Sequence, residues 1–184
     1  MYWYKPLQKY ILFTGGLLLL SIGYACKPEI KETGATLKYF DLKEFFKTDS
    51  IRLAKLAPSI KKTVTHNGES ETKTVKIANW GQEFGLFTSS DINKPAWKDS
   101  YAVQENADSL VYTAKFPELK TRELVIRKVN GQVSRVYILN KVHNLLYNST
   151  EKLIYEPGKY YLIEKDQKVK VMGENDYLIK GEFN

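Results

Sequence analysis

The spacing of apolar residues divides the chain into three parts. The first is a nearly continuous apolar run from Tyr10 to Ala25, which follows a short, positively charged start. In the middle part, two segments repeat apolar residues every three to four positions, as amphipathic helices do. From Asp108 onward, short runs rich in Val, Ile, Leu and Tyr alternate with turn residues, which is typical of strands. We therefore expect a leader, two helices and a series of strands.

The first predicted helix covers Phe40 to Leu56. Asp41 can cap its start, and Glu44 follows three residues later, as in a capping box. Pro58 ends it, because a residue before proline is disfavoured in helical conformation. Five apolar residues are predicted to share one face of this helix: Leu42, Phe45, Phe46, Leu53 and Leu56.

The second predicted helix covers Asn79 to Ser90, where Trp80, Phe84 and Phe87 recur at helical spacing. A β-hairpin is expected between the two helices, over Ile60 to Ile77. Its turn is Asn67-Gly68, since both residues tolerate positive φ. The threonine- and lysine-rich strands of this hairpin predict an edge pair.

The remaining strands form a predicted meander. Turn signals separate most of them, namely Pro117, Asn130-Gly131, Asn148-Ser149, Pro157-Gly158 and Gly173 to Asp176. The run from Val133 to Val142 also fits a helix. The predicted strands are 110–116, 124–129, 133–142, 145–147, 153–155, 160–164, 168–172 and 177–183.

The predicted fold class is α+β, with two helices packed on a curved antiparallel β-meander that is either an open sheet or a half-barrel. An antiparallel sheet with one wet face must cover the other, and the two helices can do so. At the level of architecture this resembles the periplasmic lipoprotein carriers that hold acyl chains inside a half-barrel. That resemblance implies an apolar cavity lined by helix residues such as Phe45, Phe46, Phe84 and Phe87.

The N-terminal run has the length of a signal peptide. Tyr10 to Ala25 is 16 residues, whereas a membrane-spanning helix needs ~20. Ala25 is a small residue directly before Cys26, as a cleavage site requires. Two other interpretations stay open: an uncleaved anchor with Lys27 as a stop-transfer charge, and plain secretion by cleavage near Ala25.

The segment Gly23-Tyr24-Ala25-Cys26 resembles the lipobox of bacterial lipoproteins. In that family Leu is usual three positions before the cysteine and a small residue two before, where this chain has Gly23 and Tyr24. The resemblance implies that Cys26 carries a lipid on its sulfur, becomes the first mature residue and is acylated on its amine, for example with palmitate. The many tyrosines and the Lys/Asn-rich remainder resemble uncharacterised lipoproteins of the Bacteroidota.

This interpretation divides the chain into a signal peptide (1–25), a lipidated cysteine with a flexible tether (26–36) and one α+β domain (37–184). The expected location is the cell envelope, lipid-anchored in the outer membrane, facing either the periplasm or the outside. The lipid bilayer is then the first partner, bound through acylated Cys26.

Charge and candidate chemistry narrow the function. The net charge of +7 is spread along the chain without a Lys/Arg block, so no nucleic-acid partner is expected. One cysteine forms no intrachain disulfide. His66 and His143 are too few for a zinc site, and neither a nucleotide-binding glycine loop nor a nucleophile elbow occurs. We expect no enzyme, no metal and no cofactor.

The candidate contact surface is the loop Asp91 to Tyr101, where Trp97 lies between Lys94 and Lys98, with Tyr101 at the end. A loop tryptophan can anchor a partner or plug the end of a core. Two functions follow. The first is a non-catalytic protein-interaction or assembly module for an unknown envelope protein. The second is a periplasmic carrier that binds a lipid or other small apolar ligand in a half-barrel cavity.

Overall fold

A computed structural model describes residues 37–170 and 173–184. The predicted leader, Cys26 and the tether lie outside these residues. The described chain forms a nine-stranded sheet with a few helices, which confirms a mainly antiparallel α+β fold. The strands are β1 (Ser59–His66), β2 (Glu69–Lys76), β3 (Tyr101–Asn106), β4 (Ser109–Ala114), β5 (Thr121–Val129), β6 (Gln132–His143), β7 (Tyr147–Glu156), β8 (Tyr160–Val169) and β9 (Gly173–Phe183).

All neighbouring strands are antiparallel, in the order β2-β1-β9-β8-β7-β6-β5-β4-β3. The chain makes the β1–β2 hairpin, passes through the helical segment to β3 at the opposite edge, and returns strand by strand until β9 pairs with β1. The sheet is open, with β2 and β3 as its edges. Both short connections with Asn-Gly turn as expected: Asn67 and Gly68 have φ of 51° and 88°, and Asn130 and Gly131 have 52° and 77°.

Helix α1 is Leu42–Leu56. Asp41 caps it as predicted, because its Oδ1 accepts a hydrogen bond from the Glu44 N–H at 2.9 Å. The predicted apolar face is partly wrong. Leu56 is 63% exposed, because the helix ends there and Ala57 turns the chain away in left-handed conformation. The buried residues of α1 are Leu42, Phe46, Asp49 and Leu53.

The second predicted helix is broken into α2 (Trp80–Glu83) and α3 (Gly85–Ser89). Asn79 caps α2 by accepting from the Gln82 N–H at 3.0 Å. Glycine is the poorest helix former apart from proline, and the break falls directly before Gly85. Three aromatic residues nevertheless stay on the buried side: Trp80, Phe84 and Phe87.

The strand predictions need correction at β3, β7 and β8. Strand β3 was not expected, because only its first residue is buried and its sequence carries little apolar signal. Strands β7 and β8 each join two predicted short strands, since Asn148-Ser149 and the residues after Glu164 continue the ladder instead of turning. The segment Val133 to Val142 is a strand as predicted, although its spacing also fits a helix.

The helices cover one face of the sheet, and aromatic rings fill the space beneath them. The ring centroid of Phe46 lies 4.9 Å from that of Phe87, 5.0 Å from that of Phe84 and 5.4 Å from that of Tyr155 on β7. At Gly181 on β9, an added Cβ would overlap the Tyr161 ring. The aromatic side chains of the helices thus pack directly on those of the sheet.

Candidate functional site

The two faces of the sheet differ in what covers them. We call the face under the helices the covered face. Its side chains at the centre of β5 to β8 are buried, and they include Leu124, Ile126, Ile138 and Leu153. The opposite side chains of the same strands are partly exposed. Among the described residues the helices pack on the covered face alone, through contacts such as those of Phe46 and Phe84 with Tyr155. We call the other side the open face.

Apolar residues form a line across the open face. Cross-strand pairing aligns them directly on five neighbouring strands. With strands ~4.8 Å apart, the line is roughly 20 Å long. We call it the apolar row, and its members are Val111, Val125, Tyr137, Ile154 and Leu162.

Charged side chains flank the apolar row on both sides. On one side Lys152 and Glu164 form an ion pair with Nζ and Oε2 at 2.9 Å. On the other, Nη1 of Arg135 lies 3.7 Å from Oε1 of Glu156. An apolar centre with a polar rim is the usual composition of a protein-protein interface.

A depression of about 190 Å³ lies on the apolar row. It is lined by Val125 and Tyr137 from the row and by Arg127 and Arg135 beside them. The pairing of β5 with β6 shifts register just after Arg127, and such bulges redirect side chains locally. The depression combines an apolar floor with two guanidinium groups.

Sequence reasoning did not identify the apolar row, although the signal was present. Strands β5 to β8 contain continuous apolar stretches, such as Leu124 to Ile126 and Val136 to Leu139. Strict alternation is expected when one face of an antiparallel sheet is wet, whereas continuous apolar runs are typical of strands covered on both faces. These runs therefore indicated a second apolar face.

The candidate loop around Trp97 is only partly available for contact. Pro95–Trp97 is a short 3₁₀ helix, and Trp97 is half-buried against the core. Nζ of Lys94 lies 3.9 Å from the centroid of the Trp97 ring, a cation–π geometry. Burial lowers the pKa of Lys94, with the nearby Lys43 and Lys120 acting in the same direction.

The structure separates the other two residues of that candidate set. Tyr101 is 3% exposed, and its hydroxyl donates to the Thr121 carbonyl at 2.9 Å. Burial raises the pKa of Tyr101 to about 12. Lys98 is exposed, and its carbonyl accepts from the Tyr39 hydroxyl at 2.6 Å. Lys94 and Trp97 are therefore brought together at the surface, whereas Tyr101 belongs to the core.

His143 lies at the end of β6, on the open face, in a depression of about 450 Å³. Asp166, Glu174 and Asp176 also line this depression. Nδ1 of His143 contacts the side-chain oxygen of Asn148, while Glu174 is paired with Lys168 at 2.6 Å. His66, at the end of β1, is stacked on Tyr177 with centroids 4.3 Å apart. The two histidines thus lie on strands that are not adjacent in the sheet, and they contact different residues.

Glu151 is the most enclosed carboxylate of the sheet, at 7% exposure on the covered face. Nζ of Lys120 and of Lys165 lie 3.3 Å and 3.4 Å from its oxygens. Asn140 donates to it at 3.2 Å. Burial by itself would raise the pKa of Glu151, but the two lysines and this hydrogen bond outweigh it and lower the pKa.

Within residues 37–170 and 173–184, no three His, Cys, Asp or Glu side chains are grouped so that they could hold a metal ion. In the same residues, no helix has both the length and the apolar character needed to cross a bilayer. Comparisons with protein-family models, with curated proteins and with solved structures found no match for this chain.

Proposed function

We propose that the protein is a membrane-anchored envelope lipoprotein whose domain is a non-catalytic interaction module, and that the open face of its sheet binds a protein partner. The observation that carries this proposal is the apolar row, which no described helix covers. At their centres, strands β5 to β8 carry apolar residues on both sides, yet the described helices cover one side only. A partner on the open face would supply the missing cover.

The surroundings of the apolar row indicate what the partner offers. The depression between Val125 and Tyr137 can hold one apolar side chain. Arg127 at its border favours a carboxylate next to that side chain, since guanidinium groups bind carboxylates in two-point fashion. Arg135 beside it already lies near Glu156. The complementary surface is therefore an apolar ridge with acidic residues along one side.

The carrier alternative requires a half-barrel with a cavity between helices and sheet. The residues expected to line that cavity are packed against each other instead. Phe46, Phe84 and Phe87 are each 0% exposed, and their ring centroids lie 4.9 to 5.8 Å apart, which is direct aromatic contact. This packing favours the interaction module over the carrier.

Site-specific photo-crosslinking in the native cell envelope tests the interaction proposal. A photoreactive residue at Tyr137 should give one discrete crosslinked protein, and Ile154→Asp in the same chain should abolish that product. The matched control carries the photoreactive residue at Lys159, which is exposed in the β7–β8 turn. If positions 137 and 159 give the same products, or neither gives one, the open face is not the partner site.

The anchor is tested separately, by the mass and membrane partition of Cys26→Ser. We expect wild-type protein of reduced mass that carries acyl chains and stays in the membrane. The variant should be released or remain as unprocessed precursor with no acyl chain. A variant that stays membrane-bound at the mass of the wild-type protein would show that an uncleaved helix is the anchor.

A further inference from the structure

The turn between β6 and β7 carries two adjacent leucines in solvent. Leu145 is 83% exposed and Leu146 is 72% exposed, and no other exposed large apolar side chain of the described residues reaches these values. Single exposed apolar residues need no explanation, but large apolar side chains that cluster on the surface commonly mark contact sites.

This turn, Asn144 to Leu146, is held in one conformation. Oδ1 of Asn144 accepts from the N–H groups of Leu146 and Tyr147, both at 2.9 Å. The Asn144 N–H donates to the Tyr147 carbonyl at 3.1 Å, and Lys170 beyond β8 donates to the Leu146 carbonyl at 3.1 Å. The two leucines are therefore presented by a braced turn.

The turn also projects beyond β5, the strand next to β6. Thr121, the first residue of β5, pairs with Asn140, and the Lys141 N–H still donates to the Lys120 carbonyl at 2.8 Å, so Val142 and His143 extend past this pairing. With a rise of ~3.4 Å per residue, this extension is about 7 Å before the turn itself begins. On the other side β8 continues beside β7 up to the turn, where Val169 pairs with Tyr147.

The chain enters the described domain at this same end of the sheet. Leu37 is followed by Lys38, whose Nζ lies 2.5 Å from Oδ1 of Asp99, two residues before β3 begins. In the antiparallel register, the start of β3 lies at the same end of the sheet as the end of β6. The β6–β7 turn and Lys38, the second described residue, thus lie at the same end of the sheet.

The length of that preceding chain favours contact at this end. Cys26 precedes Leu37 by 11 positions, which span at most ~40 Å when fully extended. Strand β6 alone, with 12 residues, is about 40 Å long. The opposite end of the sheet could reach a bilayer that holds Cys26 only with the chain almost fully stretched.

We propose that Leu145 and Leu146 insert into the interfacial layer of the bilayer that anchors the protein, so that the domain stands on this end. The proposal rests on the anchoring proposed above. The apolar side chains of interfacial segments are buried in the boundary between headgroups and acyl chains, roughly 5–10 Å deep. The strands then point away from the membrane, and the open face is presented sideways to a neighbouring envelope protein.

Fluorescence quenching by brominated lipid tests the insertion. The full chain is reconstituted into phosphatidylcholine vesicles with or without dibrominated acyl chains, as wild type, L145W, L146W and V129W. Val129 is 60% exposed beside the Asn130-Gly131 turn at the opposite end of the sheet, so V129W is the matched control. The signal of the introduced residue is read as the difference from wild type.

We expect blue-shifted emission for L145W and L146W, with at least about twofold stronger quenching by brominated lipid than for V129W. If both turn variants are quenched no more than V129W, the proposal is overturned. The same result is expected if the turn contacts a protein instead of the bilayer. Flotation of the same vesicles reports the anchor separately. If the protein floats with the vesicles but L145W and L146W are not quenched, the insertion is refuted and the anchoring stands. If the protein does not float, the anchoring is refuted. In that case, quenching of L145W and L146W on adding vesicles to the free protein still tests whether the turn enters the bilayer.

Discussion

The covered face and the open face of the sheet are built from the same strands but are completed differently. On the covered face, Leu153 of β7 is fully buried under the helices. The next residue, Ile154, points to the open face and stays partly exposed. Both faces carry large apolar side chains at the centre of the sheet, so the difference lies in what covers them. The chain therefore completes one core by itself and leaves a second apolar surface partly exposed.

The largest difference in stability between the two faces is expected when one aromatic residue on each face is replaced by alanine. Phe46→Ala should reduce the free energy of unfolding by ~3–5 kcal/mol, because it leaves a cavity among Phe84, Phe87 and Tyr155. Tyr137→Ala, in the apolar row, should cost about 1 kcal/mol or less. Urea unfolding of the two variants checks this, and equal losses would show that the open face is also part of the core.

Adjacent residues of β7 give a matched version of the same test. Leu153→Ala should cost ~2–5 kcal/mol as a buried truncation. Ile154→Ala should cost clearly less, because its side chain is already partly in water. Thermal denaturation of both variants measures the ratio. A larger loss at Ile154 than at Leu153 would mean that the two faces have been assigned the wrong way round.

A single added methyl group should disturb the covered face at Gly181. Gly181→Ala places a Cβ within the volume of the Tyr161 ring, and overpacking of this kind costs ~1–3 kcal/mol. Gly85→Ala is the control, since nothing lies within 4 Å of its added Cβ and alanine favours the helix. Unfolding curves should show a loss at position 181 and none at position 85.

The hydroxyl of Tyr155 should contribute to the free energy of unfolding, because it makes a buried hydrogen bond to a charged group. It donates to Oδ2 of Asp49, which lies 8% exposed on α1 and is also bound by Arg52. Tyr155→Phe should cost ~1–3 kcal/mol, because one oxygen of the Asp49 carboxylate loses its partner. Tyr160→Phe, on the open face, should change the unfolding free energy little. Similar losses in both would remove the distinction between the faces.

The smallest effect concerns acid stability. The pKa of Glu151 is lowered in the folded state, so its charged form contributes stability that is complete above its unfolded pKa, near 4.5. This contribution should disappear as the pH falls further, through the folded pKa. The free energy of unfolding of Glu151→Gln, measured by urea titration at a series of pH values, should therefore approach that of the wild type as pH falls below about 4.5. Glu174→Gln, which removes an exposed ion pair with Lys168, is the control. High salt should reduce the contribution of that exposed pair to the free energy of unfolding more than the contribution of the Glu151 cluster.

Much of the fold followed from local signals. Asp41 and Asn79 cap helices because each has a side-chain oxygen within reach of free N–H groups. The two Asn-Gly turns need positive φ at both positions, which few other pairs tolerate. The strand β3 could not be predicted in this way, because an exposed edge strand is specified by its partner β4 and carries little apolar pattern of its own.

The candidate site was harder to predict. The residue type of Trp97 and its place in a loop predict a contact site, but its ring is half-buried against the core. The apolar row joins residues from five strands, and only the register brings Val125, Tyr137 and Ile154 into one line. The continuous apolar runs indicate a second apolar face, but register depends on long-range pairing, so the sequence alone does not place these residues in one line.

Native mass spectrometry of the full chain, extracted gently from its own membrane, distinguishes an interaction module from a lipid carrier. We expect a domain without non-covalently bound lipid, in complex with a protein that is lost in Ile154→Asp and retained in Lys159→Asp. A stoichiometric, non-covalent lipid bound to the domain, together with no partner sensitive to Ile154→Asp, would show that the protein is a carrier instead.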